Sequence, residues 1–258
     1  MIIAWIIVAY LVLLIPIMEW LAYRSYTKQI AAKTFKKQSF YNSVFVELWT
    51  PVIGILILVL MGVLSFQDIG LNAIIWNPFG INIWLLVGAI ILVAIPILMI
   101  LLSIYNYVGI KKSPAFREAY IAAVKKKTSS EDQEPSIVHA ILLTSKREKI
   151  QWTFVSITAG ITEEILFRGF LVYCLHFIFP GIPIPFLCLI QAFPFSLMHL
   201  YQGAKGVLMT FAMGLIFGLS VIVFGSIIPG IIIHILVDLT SNLIELEQNQ
   251  NDGSAAIV

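Results

Sequence analysis

The chain has 258 residues, of which 60% are hydrophobic and only 12% charged, with a mean hydropathy of +0.96. A soluble domain of this size has no use for so much apolar surface, so the composition excludes an ordinary water-soluble globular protein. The net charge of +2 comes from 16 Lys and Arg against 14 Asp and Glu. The basic residues gather in loops with few aromatics among them, a pattern of membrane topology and lipid headgroup contact and not of nucleic-acid binding.

An apolar run of about 20 residues can cross a hydrocarbon core roughly 30 Å thick. In chain order such runs predict spans near 1–23, 44–66, 81–108, 150–175, 184–201, 206–224 and 227–246, with the amphipathic stretch 113–127 as a candidate eighth. The expected fold is therefore all-α, a polytopic transmembrane bundle of about seven or eight spans. The first run has no basic start, is too long for a signal peptide and is followed by no A-x-A-like site, so it reads as a retained anchor. Arg24, Lys28, Lys33, Lys36 and Lys37 lie in 24–42, nine more basic residues lie in 111–149, and Arg168 and Lys205 remain. The opposite loops 67–80, 176–183 and 225–226 carry none. The positive-inside rule then places the basic segments in the cytoplasm of a cell-membrane protein, with the N-terminus outside and the C-terminus inside if there are seven spans.

Four regions follow. Residues 1–110 carry N-terminal spans with few polar groups; Glu19 and Glu47 sit near predicted cytoplasmic boundaries and read as interfacial. Residues 111–149 form a basic, polar linker with a candidate amphipathic helix, and its centre at 128–135 reads as flexible. Residues 150–246 hold the chemistry, and 247–258 form a polar tail expected to fray. Pro180, Gly181, Pro183 and Pro185 mark an external turn. Gly214 and Gly218 form a G-x-x-x-G pair that favours close helix packing. Cys174 and Cys188 have no metal-like spacing and read as buried small hydrophobes.

Ionisable groups inside an apolar span are costly, face a protein interior or a wet cavity, and mark function. The stretch Thr162-Glu163-Glu164-Ile165-Leu166-Phe167-Arg168-Gly169 places three of them together. Arg168 lies four residues beyond Glu164, on the same helical face and in the favourable acid-then-base order. That pairing leaves Glu163 as the odd carboxylate, available for proton chemistry. His199 follows Pro194-Phe195-Ser196-Leu197-Met198, and His234 and Asp238 share a helical face four residues apart. Straight spans would not bring these groups to one depth, whereas tilted or kinked ones would, with Pro194 and Pro229 as candidate bends. A desolvated, unpaired carboxylate can take a proton from water, and imidazoles can stabilise the resulting oxyanion. Alternatively Glu163, His199 and His234 could bind a divalent metal such as zinc that activates the water.

Glu163-Glu164-x-x-x-Arg168, Phe195-x-x-x-His199 and His234-x-x-x-Asp238 resemble the three motifs of the CPBP intramembrane proteases. That family includes the type II CAAX prenyl endopeptidases and bacterial bacteriocin-processing or immunity proteins, also called the Abi family. The resemblance covers about 160–240. It implies an all-helical membrane fold with an internal polar cavity open to the cytoplasm, and hydrolysis of a membrane-associated peptide or protein substrate. It further implies that Glu163 activates water with His199 binding or orienting it, that Glu164 and Arg168 order the site or contact substrate, and that His234 and Asp238 support the oxyanion. Asp238 stands where the eukaryotic prenyl proteases resemble an Asn-ended version, and an ionised carboxylate would repel an oxyanion. The family is labelled metalloprotease, yet a metal-free glutamate mechanism is also argued for its relatives; with no H-E-x-x-H helix here, the metal-free route is preferred. Neither a G-x-S-G serine motif nor a G-x-G-D aspartyl motif occurs. A non-catalytic immunity or adaptor protein binding a bacteriocin, receptor or transporter is the alternative. A proton-coupled transporter would show paired half-repeats, and none is visible.

Overall fold

In lipid, a long run of branched aliphatic residues can satisfy its backbone hydrogen bonds internally only as a helix. The computed structural model of the chain follows this rule. It describes residues 2–128, 137–141, 146–241, 246–248 and 255–257. Helix α1 (Ile2–Ala9) runs through a π-helical segment (Tyr10–Leu14) into α2 (Ile15–Ala31), followed by α3 (Lys37–Leu60), α4 (Ile83–Lys112) and α5 (Pro114–Thr128). After the short α6 (Ile137–Ala140), α7 (Lys146–Glu163) continues through a second π-helical segment (Glu164–Leu171) into α8 (Val172–Ile178). Then come α9 (Ile184–Ile190), α10 (Ala192–Leu197), a 3-10 turn (Leu200–Gln202), α11 (Gly203–Phe224) and α12 (Ile228–Ser241). Two three-residue strands, β1 (Leu246–Gln248) and β2 (Ala255–Ile257), pair antiparallel and are the one exception to an all-helical fold among the described residues.

Four helical stretches among the described residues are long and apolar enough to cross a membrane: Ile2–Ala31, Lys37–Leu60, Ile83–Lys112 and Leu200–Phe224. The chain is a multi-pass helical membrane protein. Leu60, Trp84, Leu85 and Ile91 are exposed on outer faces, where acyl chains solvate them as well as a protein core would. The predicted spans 184–201 and 227–246 differ from expectation. Their helices are the shorter Ile184–Leu197 and Ile228–Ser241, and 14 residues rise only about 21 Å, less than the hydrocarbon thickness. The first of these breaks at Gln191, whose Nε2 donates to the carbonyls of Cys188 and Gly214 at 2.8 and 3.1 Å. Pro229 does not bend a span either. It stands at the second residue of α12, where its missing N–H and fixed φ suit a helix start.

The largest core cluster surrounds the second π-helical segment: Leu166, Phe167, Phe170 and Leu171 pack with Leu11, Ile55 and Leu187, and each is fully shielded. A Cβ on Gly218 would lie 2.1 Å from the Cys188 carbonyl oxygen, and one on Gly214 3.0 Å from Ala192 Cβ. The G-x-x-x-G pair therefore lets α11 approach the backbones of α9 and α10, as small residues do between membrane helices. Cys188 is buried, Cys174 is half-buried, and both are free thiols. The two basic loops meet at one end of the bundle, where Lys37 Nζ lies 3.4 Å from Glu148 Oε2. The predicted flexible centre of the linker, 128–135, lies outside the described residues from 129 onward, with Thr128 closing α5, and most of the tail 247–258 lies outside them too.

Candidate active site

The α-helical ladder of α7 ends between Glu163 and Glu164, where the π-helical turn begins. Single π turns are rare and concentrate at functional sites. Every residue of this one is buried, so no polar side chain on it faces acyl chains. Glu163 is 5% exposed, Glu164 0% and Arg168 2%. Charges buried this deeply need close compensation, and the structure supplies it. Arg168 Nη1 lies 3.3 Å from Glu164 Oε1, the predicted pairing, and Nη2 donates to the Gly214 carbonyl at 3.4 Å. The guanidinium carbon sits 4.0 Å from the Phe195 ring centroid and 5.2 Å from that of Phe217. A desolvated cation over aromatic faces gains roughly 2 kcal/mol.

Helix α12 brings His234 onto the same cluster. Its Nδ1–H donates to Glu164 Oε1 at 3.0 Å, and Nε2 lies 3.7 Å from Glu163 Oε2 and 3.9 Å from Asp238 Oδ2. One imidazole thus bridges both adjacent glutamates. Two glycines permit this. A Cβ on Gly160 would lie 2.5 Å from Ile235 Cγ1 and 3.0 Å from its backbone nitrogen, so α7 and α12 touch one turn before the glutamates. A Cβ on Gly230 would stand 3.0 Å from Glu164 Oε2, in the space the carboxylate occupies. The Phe217 ring stacks on the His234 imidazole at 4.8 Å and 18°. Trp152 Nε1 donates to the Asp238 carbonyl at 3.0 Å, locking α7 to the end of α12. Asp238 itself is partly exposed and meets the cluster at His234, 3.9 Å away.

His199 comes from the turn after α10. Its ring nitrogen Nδ1 donates to the Phe195 carbonyl at 3.1 Å, which leaves Nε2 an acceptor in the neutral ring. Its ring lies 4.9 Å from that of Phe195, which in turn lies 6.3 Å from His234. Phe195 therefore seats Arg168 and stands between the two imidazoles, a physical reason for an aromatic residue four positions before His199.

Glu163, His199, His234 and Asp238 line one pocket of about 460 Å³. Glu164 and Arg168 stand behind it, buried and absent from its wall. The pocket corrects one expectation. Glu19 and Glu47, read as interfacial from sequence, also form part of its lining and lie close enough to interact with one another. Their signal in the sequence was an acid inside each of two apolar runs, and adjacency to a predicted boundary masked it. Gly160 and Gly230 were likewise unremarked, because close approach of two helices leaves no trace in composition.

Glu163 Oε2 has no hydrogen-bond partner among the described residues. Metal binding by Glu163, His199 and His234 would need their donor atoms turned to one point. His234 Nε2 and Glu163 Oε2 lie 3.7 Å apart, but no group of three or more His, Cys, Asp or Glu side chains among the described residues is gathered to hold a metal ion.

Residues 146–240 match a family model described as type II CAAX prenyl endopeptidase Rce1-like. This segment of the chain is similar to the CAAX prenyl endopeptidases. The match bears out the resemblance carried by the three motifs, and at family level it supports a membrane-embedded endopeptidase. No curated protein and no solved structure matches the chain. The Rce1-like segment contains Glu163, Glu164, Arg168, His199, His234 and Asp238, whereas Glu19 and Glu47 lie outside it.

Proposed function

We propose that the chain is an intramembrane endopeptidase that cuts a membrane-associated peptide or protein with a water activated by Glu163. The observation that carries this reading is Oε2 of Glu163, which makes no hydrogen bond among the described residues and belongs to a buried side chain at the wall of a pocket shared with both imidazoles. A water entering there meets a carboxylate oxygen with no hydrogen bond to displace, the arrangement a general base requires. His199, its Nδ1–H held by Phe195, offers Nε2 to the second water hydrogen and orients the attacking oxygen. That oxygen bonds to the scissile carbonyl carbon as Glu163 takes the proton, and the carbonyl electron pair moves onto its oxygen. His234, protonated on both nitrogens, donates Nε2–H to the oxyanion while Glu164 holds its Nδ1–H. Glu163 then passes its proton to the leaving amine as the C–N bond breaks, and the carboxylate is restored. Asp238 acts through His234, which removes the conflict between a carboxylate and a developing oxyanion. Glu164 and Arg168 hold the imidazole and touch no reacting atom.

The protein sits in the cell membrane with both basic loops and Lys205 on the cytoplasmic side, the pocket opening there. The contact of Lys37 with Glu148 supports placing both loops at one surface. Its partners are membrane lipids and its substrate. The decisive experiment maps new peptide termini by mass spectrometry in membranes containing the wild type or the Glu163→Gln variant. Termini present only with the wild type establish cleavage and reveal the substrate. Equal termini and an unaltered phenotype in the variant, with the protein folded, refute the reading.

A further inference from the structure

Glu19 on α2 and Glu47 on α3 face the pocket that holds Glu163, and none of the reaction steps uses them. Three independent helices therefore bring glutamates to one cavity, with Asp238 as a fourth acid on its wall. No Lys or Arg lines it among the described residues. The Glu19–Glu47 pair is held in place. Tyr10 Oη, on the first π-helical turn, donates to the Glu47 carbonyl at 3.2 Å, and Trp49 Nε1 donates to Thr158 Oγ1 at 3.4 Å, fastening α3 to α7 beside it. A second feature points to a ligand: on the same wall the buried Glu163 Oε2, 3.7 Å from His234 Nε2, makes no hydrogen bond among the described residues. Glu19 and Glu47 lie within hydrogen-bond reach of one another; ionised together in a low dielectric they would repel, and an ammonium group bonded to both relieves that repulsion. An apolar-walled cleft lined by one sign of charge also concentrates ligands of the opposite sign. Phe40, Trp152 and Tyr201 share the lining and offer ring faces to an organic cation.

We infer that Glu19 and Glu47 form a subsite for an ammonium group of the peptide substrate, either a lysine side chain or a free amino terminus. The inference takes the peptide as occupant from the proteolytic reading above, and the following test separates the two. Full-length protein in lipid nanodiscs is offered N-acetylated, quenched-fluorescent peptides identical except for lysine or uncharged norleucine at successive positions. A third series carries norleucine and a free amino terminus. The wild type is expected to favour an ammonium-bearing series by about tenfold in kcat/KM, with Glu19→Gln/Glu47→Gln bringing that ratio close to one. Preference for the lysine series assigns the side chain, and preference for the third series assigns the terminus. Fluorescence anisotropy of the same peptides on Glu163→Gln repeats the comparison without chemistry. Preferential binding that Glu19→Gln/Glu47→Gln removes, with no cleavage by the wild type, upholds the subsite while the proteolytic reading falls. Cleavage without preference upholds proteolysis and overturns the subsite. If the double variant does not elute as a single species, competition on the wild type decides: N-acetyl-lysine amide must displace peptide better than N-acetyl-norleucine amide, and equal displacement overturns the inference.

Discussion

Arg168 is the most exacting test of how the site is held together. Replacing it with methionine keeps most of the volume but removes the cation that faces Glu164 at 3.3 Å and the contacts over Phe195 and Phe217. Glu164, fully buried, is left with His234 as its sole ionic partner among the described residues. Breaking one side of a buried pair costs about 3–5 kcal/mol, because the remaining charge is uncompensated. At about 2–4 °C per kcal/mol for a chain of this size, the melting temperature of Arg168→Met should fall by roughly 10 °C. Neutralising both partners should behave differently. In Glu164→Gln/Arg168→Met the amide oxygen still accepts from His234 Nδ1, no buried charge is stranded, and most of the loss should be regained. The assay is thermal unfolding in one detergent, followed by tryptophan fluorescence and size-exclusion recovery. A single variant melting within about 1 °C of wild type, or a double variant melting below Arg168→Met, would show that the pair does not compensate charge as argued.

Glu163→Gln should lower hydrolysis by about 10²–10⁴-fold while leaving unfolding temperature near that of the wild type, as loss of a general base without loss of packing requires; comparable residual activity refutes the assignment. Gly160→Ala should push α12 off α7, destabilising the protein by about 1–3 kcal/mol and weakening activity, whereas Gly88→Ala, with nothing within 4 Å of the new methyl, should be neutral or slightly stabilising; thermal unfolding of the two side by side checks the contrast. Chelators should leave cleavage unchanged and purified protein should carry no stoichiometric zinc by elemental analysis, and a chelator-sensitive, metal-restored activity contradicts the metal-free mechanism. A cysteine placed at Lys28 should react with an impermeant maleimide only from the cytoplasmic side and one at Trp76 only from outside, and the reverse pattern inverts the proposed orientation.

Helical class, the long apolar spans and the Glu164–Arg168 pair were legible because each depends on local spacing: twenty apolar residues, or a period of four. The depth argument was not. Counting residues along straight spans separates Glu163 from His234, yet their side chains lie 3.7 Å apart. The difference comes from backbone features with weak sequence signals. α12 is short and carries Pro229 in its first turn, the span after Pro183 breaks at Gln191, and Gly160 removes the side chain that would hold α7 and α12 apart. Glu19 and Glu47 escaped for a related reason. Whether an acid near a span end meets water or a cavity depends on neighbouring helices far away in sequence.

The same irregularities explain how a lipid-embedded bundle can hold this much charge. A π turn, a helix broken at Gln191 and a 3-10 turn expose backbone groups that regular turns would keep. The Phe195 carbonyl, in the last turn of α10, fixes the His199 ring. The Gly214 carbonyl, within the regular helix α11, accepts from both Arg168 and Gln191. The glycine that lets α11 approach α10 thus also presents its carbonyl to Arg168, and the phenylalanine beneath that cation also sets which nitrogen of His199 faces the pocket. Packing and chemistry are carried by the same residues here. Substitutions at Gly214 or Phe195 should therefore lower stability and activity together, whereas Glu163, whose Oε2 makes no hydrogen bond, is the position where the two separate.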